Sequence, residues 1–149
     1  MALSSQQTGR YLLIFCALIA LFTAIAHLSC IVFGEQCYRA QLAPSAIIES
    51  AIDGTLFAPL ATVVISSIFT LCALYALAGA RLLPQLPLTR IAIYIIGAIC
   101  VLRGLATLPL VLSHPEMANT FAIIAGVLWF LCGVSYLVGY RLIQCDEPL

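Results

Sequence analysis

Residues 11–33 read YLLIFCALIALFTAIAHLSCIVF, from Tyr11 to Phe33, with no charged side chain. At about 1.5 Å of rise per residue, a helix of this length exceeds a hydrocarbon core about 30 Å thick. Three more apolar segments follow, over residues 56–80, 91–112 and 120–140, each long enough for the same crossing. The expected fold is an all-α integral membrane protein: a four-helix transmembrane bundle that fills residues 1–149 as a single domain. Composition agrees. Hydrophobic residues make up 64% and charged residues 8%, against about 25% charged in an ordinary soluble domain. That leaves too little polar surface to coat a soluble globule, and the apolar content excludes disorder.

The first segment also has features of a cleaved leader. Ala24-Ile25-Ala26 is a small-residue cleavage pattern, and Arg10 is a weak positive flank. The apolar run continues to Phe33, too long for a leader core, so it reads as a retained span. His27-Leu28-Ser29-Cys30 is a poor lipoprotein box, because His27 stands where leucine is wanted.

Six basic residues, all arginine, balance six acids. No basic run exists to hold phosphates, which excludes nucleic acid as a partner. Arg10, Arg81, Arg90 and Arg141 fall on one side of the expected spans, and Arg39 alone falls on the other, among acids. The positive-inside rule puts both termini in the cytoplasm, N-in and C-in. Tyr11, Tyr94, Tyr136 and Tyr140 lie toward the cytoplasmic face, where interfacial anchors belong.

The connection over residues 34–55 is the longest and faces outward. Within it, residues 46–52 carry Ile47, Ile48, Ala51 and Ile52 at helical spacing. They read either as a short interfacial helix or as an early start of the second span. Gly54 and Pro59 are candidates for the bend. The second connection holds Pro84 and Pro87; the third, residues 113–119, holds Pro115 and Glu116.

Helices in lipid associate where small residues let their backbones approach. Cys16, Ala20 and Ala24 form such a stripe, with His27 next on the same face. Cys72, Ala76 and Ala80 form a second. Gly97, Cys100, Gly104 and Thr107 form a third, and Ala122 and Gly126 a fourth. Arg103 borders the third stripe, about a quarter-turn from its centre. A charge inside a membrane costs about 3 kcal/mol on insertion scales. Arg103 therefore calls for a partner, with Asp53 and Glu49 the first candidates and Glu35 behind them. His27, Arg103, Glu35, Glu49 and Asp53 form the candidate polar cluster. For Arg103 the readings are snorkelling to the headgroups, a structural ion pair, or an anion or substrate site.

Most of the seven cysteines lie within apolar runs, where cysteine is a small hydrophobe. Cys30 and Cys37 are the candidate redox pair. A helix running through both separates them by about 10 Å, too far to bridge; a helix ended by Gly34 lets them close. Four-helix disulfide-generating quinone reductases have similar size but need a second, relaying pair. Small multidrug-resistance transporters need a carboxylate in helix one, and residues 11–33 contain none. His27 and Cys30 are two ligands, short of a zinc site. A haem held by His27 and His114 has nothing else to support it. No phosphate loop, catalytic triad or metalloprotease helix occurs, so the sequence points to no cofactor, no metal and no catalytic residue.

Three stretches carry a resemblance: His27-Leu28-Ser29-Cys30-Ile31 with Gly34 and Cys37-Tyr38-Arg39; residues 73–80 followed by Leu86-Pro87-Leu88-Thr89-Arg90; and Leu102-Arg103-Gly104. Together they resemble a group of small bacterial inner-membrane proteins with four predicted helices. The resemblance implies location in a cell inner (plasma) membrane and helix count, and no activity. The expected function is non-enzymatic: a partner-binding or assembly component, in contact with the lipid bilayer and with a second copy or another membrane protein. The alternatives are a small transporter or channel subunit using Arg103 and His27, and an outer-face thiol redox enzyme using Cys30 and Cys37.

Overall fold

Capping, glycine and proline set where these helices begin and end. The structure is a computed structural model describing residues 4–113 and 120–145. Every regular element among the described residues is a helix: α1 (Ser5–Phe33), α2 (Glu35–Ala40), α3 (Ser45–Ile52), α4 (Phe57–Gly79), α5 (Thr89–Leu105), α6 (Thr107–Ser113) and α7 (Thr120–Cys145). Four stretches are long and apolar enough to cross a membrane: Ser5–Phe33, Phe57–Gly79, Thr89–Pro109 and Thr120–Cys145.

α1 starts six residues before the apolar run because Ser4 and Gln7 form a reciprocal cap. The Gln7 backbone N–H donates to Ser4 Oγ, and the Ser4 backbone N–H donates to Gln7 Oε1, each at 3.2 Å. Pro59 lies in the first turn of α4, where its missing N–H leaves no bond unmade. The third apolar stretch differs from the uninterrupted helix expected over 91–112. It breaks at Ala106, between α5 and α6. Pro109 has no N–H to offer the Leu105 carbonyl four residues back, and its ring crowds that carbonyl.

The described chain divides into two units, residues 1–18 with 74–149 and residues 19–73, so α1 and α4 each contribute to both. In the first unit, α5 and α7 pack backbone to backbone. A Cβ added at Gly133 would lie 2.5 Å from the Val101 nitrogen and 2.7 Å from the Gly97 carbonyl oxygen. One at Gly104 would lie 2.7 Å from the Phe130 nitrogen and 2.8 Å from the Gly126 oxygen. Gly9 of α1 makes an equally close approach to the Gly139 carbonyl of α7. In the second unit the Ser66 hydroxyl of α4 donates to the Ala24 carbonyl of α1 at 3.2 Å.

The burial pattern inverts that of a soluble protein. Cys16, Ala17, Ala20, Ala24, Ala73, Ala76, Ala78 and Ala80 are buried, whereas Phe22 is 71% and Ile25 66% exposed in the middle of α1. Apart from Leu13, Ile93, Tyr136, Tyr140 and Ile143, which are also buried, small side chains face inward on these helices while many large apolar ones face outward, an exterior suited to hydrocarbon. Hydroxyls on these helices turn back onto their own backbones: Thr23 to Ile19, Thr62 to Ala58, Ser67 to Val63 and Thr70 to Ser66, each at 2.8 Å. Their polar atoms are thereby satisfied without water. Two tyrosines depart from the anchoring role read from sequence. Tyr136 and Tyr140 are buried, and Tyr140 meets Tyr94 edge-on at 5.9 Å.

Gly133→Ala is expected to lower the stability of the purified protein by about 1–3 kcal/mol through overpacking against backbone that cannot give way. Ala106→Leu, at an exposed position, is expected to change it by less than about 0.5 kcal/mol. Detergent unfolding curves check both, and equal effects would refute the close-packing account.

Candidate functional site

The polar chemistry of the second unit gathers where α1 ends. Gly34 stops that helix with φ +69°, a conformation that glycine adopts without a Cβ penalty. Its N–H still bonds the Cys30 carbonyl at 2.9 Å, and its own carbonyl accepts from the N–H groups of Cys37 and Tyr38. The chain reverses into α2, and the Cα atoms of Cys30 and Cys37 come to 5.1 Å, joined by a disulfide. Of the two arrangements open from sequence, the structure adopts the one in which Gly34 ends the helix.

The bridge lies in an apolar cluster of Cys30, Tyr38 and Ala58, flanked by Ile47, Ile48 and Ala51 of α3. Cys30 is fully buried and Cys37 half-buried. Around the cluster, each polar group has a structural bond. The Tyr38 and Thr62 hydroxyls lie 3.0 Å apart. Gln41 Nε2 donates to the Ala26 carbonyl at 2.7 Å and lies 3.6 Å from Cys37 Sγ. Ser50 Oγ accepts the Ala58 N–H at 2.8 Å, capping the first turn of α4 from the neighbouring helix, and meets Thr55 Oγ1 at 2.6 Å. Gly54, at φ +66°, turns the chain between α3 and α4.

The residues singled out from sequence are distributed as follows. His27 is half-buried and stacks on Phe69, ring centroids 5.5 Å apart and planes 6° apart. Glu35 pairs with Arg39 at 2.6 Å across one turn of α2. Glu49 and Asp53 are exposed on and just after α3. All four candidate residues, His27, Glu35, Glu49 and Asp53, belong to the second unit, and Arg103 to the first. Arg103 is exposed, and within its own unit its guanidinium has no ion pair among the described residues. His114 and Glu116 lie outside the described residues.

Sequence reading missed α2, Tyr38, Gln41 and Ser50. The Glu35–Arg39 spacing, acid four residues before base, was the available cue for α2. Nothing local marks Ser50 as a cap, because the helix it caps begins seven residues later. No group of three or more His, Cys, Asp or Glu among the described residues is placed to hold a metal. No known family, curated protein or solved structure matches this chain. The sequence's likeness to small bacterial inner-membrane proteins finds no support among them.

Cys37→Ser opens an eight-residue loop and is expected to cost about 2–3 kcal/mol. Ser50→Ala is expected to cost about 1 kcal/mol through the lost cap. Thermal unfolding with and without reductant separates the two. Reductant should lower the wild type to the level of Cys37→Ser and leave that variant unmoved; a wild type indifferent to reductant would rule out the clasp.

Proposed function

We propose that this chain is a multi-pass protein of a cell inner membrane, with both termini cytoplasmic. Its role is that of a non-enzymatic partner-binding or assembly component, and it presents residues 34–55 outward as a rigid platform. The observation that carries this reading is the clasped loop. Disulfides persist on the oxidising side of a membrane. Cys30–Cys37 therefore supports the orientation suggested by the arginines, by an independent physical route.

Tyr38, Gln41, Ser50 and Thr55 of the loop are engaged in holding its shape, so a partner meets a preorganised surface and little ordering entropy is lost on binding. That surface mixes exposed Leu42 and Ile52 with Arg39, Glu49 and Asp53, a pattern of apolar anchors within a polar rim. Burial weighs against the thiol redox alternative. Attack at the more accessible Cys37 sulfur would expel the Cys30 thiolate into an apolar cluster that cannot solvate it.

Orientation is tested with a membrane-impermeant thiol reagent on intact cells expressing the protein. Cys30 and Cys37 should label only after reduction, and exposed Cys145 only after permeabilisation. Labelling of Cys145 from outside overturns the orientation.

Partner binding is tested by purification in mild detergent. The expected result is a defined complex, with a second copy or another membrane protein, that Leu42→Glu or Ile52→Glu weakens by about tenfold, or about 1.4 kcal/mol. A strict monomer with nothing co-purifying would sink the reading. Solute flux lost in Arg103→Gln, with undiminished folded protein, would favour transport.

A further inference from the structure

Four arginines from four helices gather at one end of the first unit, although the chain holds no basic run. Gly79 of α4 marks the place. A Cβ added to it would press on Ile93 of α5 and would lie 3.2 Å from Leu13 of α1 and 3.4 Å from Tyr140 of α7. Each of these residues has an arginine within one helical turn in sequence: Arg10 before Leu13, Arg81 after Gly79, Arg90 before Ile93 and Arg141 after Tyr140.

All four arginines are exposed. Arg10, Arg90 and Arg141 have no ion pair among the described residues. The described part of this unit contains no Asp or Glu. In sequence, Asp146 and Glu147 follow α7 and leave the arginines in excess by four to two. An apolar strip begins beside Arg90. Ile91, Ile95 and Ile99 of α5 are 54%, 53% and 60% exposed. At intervals of four residues they share one side of the helix and lead away from the arginines for about 12 Å.

We propose that this end of the unit binds an anionic phospholipid of the adjacent leaflet, its phosphate drawn to Arg10, Arg90 and Arg141 and an acyl chain running inward along Ile91, Ile95 and Ile99. The proposal rests on the membrane reading above, in which that leaflet is cytoplasmic. The order of charge and apolar surface decides the occupant. Arginine lies at the outer end of the span and isoleucine deeper, as headgroup and chain do in a lipid. An acidic peptide or a free phosphate would meet the arginines but not the strip. Arginine stays charged at physiological pH, its guanidinium fork matches phosphate oxygens bidentately, and basic sites between helices at the cytoplasmic face suit such headgroups.

The test is native mass spectrometry of the purified full-length protein, titrated with phosphatidylglycerol or with phosphatidylcholine of the same acyl chains. Phosphatidylglycerol should bind about tenfold more tightly, about 1.4 kcal/mol. The preference should disappear in the triple variant Arg10→Gln, Arg90→Gln, Arg141→Gln and persist in Arg103→Gln. Equal affinities in the wild type overturn the proposal, as does a preference that survives the triple variant or is lost in Arg103→Gln. Glycerophosphoglycerol, the same headgroup without chains, should not displace the lipid at tenfold excess. Displacement assigns the site to a free phosphate ester, and displacement by a polyglutamate peptide assigns it to an acidic protein; either overturns the lipid site. Should the triple variant fail to fold, Arg90→Gln should lower the preference about threefold and Arg90→Lys retain most of it; an Arg90→Gln variant equal to the wild type overturns the proposal. Alkaline washing of membranes separates this proposal from the reading it rests on. Protein released by the wash refutes membrane integration, whereas retained protein without lipid preference refutes the lipid site alone.

Discussion

Helices in an apolar solvent gain nothing by hiding apolar side chains from it, so they pack only where their surfaces fit closely enough to exchange lipid contacts for better ones. In this chain the fit comes from glycine. Gly97, Gly104, Gly126 and Gly133 bring α5 and α7 to backbone contact, and Cys16, Ala20 and Ala24 of α1 and Ala73 and Ala76 of α4 are buried by the same logic. The large side chains are displaced outward. Leucine, isoleucine and phenylalanine form an exterior that water would reject. Small residues at the contacts thus shape both the interior and the surface, with Leu13, Ile93, Tyr136 and Ile143 filling the interior where the helices stand further apart.

The end of α1 solves a different problem. There the chain leaves the apolar run and must reverse, and each exposed backbone group needs a partner. Gly34 supplies the turn, and its carbonyl collects the first N–H groups of α2. The disulfide then closes across it, with Tyr38 inserted beneath and Ser50 reaching to the start of α4. Polar side chains are consumed in structure, which is why the loop reads more readily as a shaped surface than as reactive machinery. His27 follows the same rule: it stacks flat against Phe69 and fills space among apolar neighbours.

Arg103 is the exception. It lies near the end of α5, far from Arg90 in the first turn of that helix and just before the break at Ala106. Glu35, one of the acids proposed for it from sequence, is held by Arg39 on α2. Within its own unit its guanidinium has no ion pair among the described residues.

Much of this architecture was legible along the chain. Four apolar runs specify four long helices because only a helix satisfies its own backbone over such a length without water. Small residues at three- and four-residue spacing named the buried faces, since that spacing follows from helical geometry alone. The sequence leaves the Cys30–Cys37 bridge open, because it depends on whether Gly34 breaks the helix, and glycine permits either course. Tyr136 and Tyr140 were read as anchors and lie in the interior, since amphipathic tyrosine suits both places and only the packing of neighbouring helices selects one. The cap of α4 by Ser50, the stacking of His27 on Phe69 and the close approach of Gly133 to Val101 came from tertiary structure alone. Each joins residues from different helices or turns, and sequence periodicity describes one helix at a time.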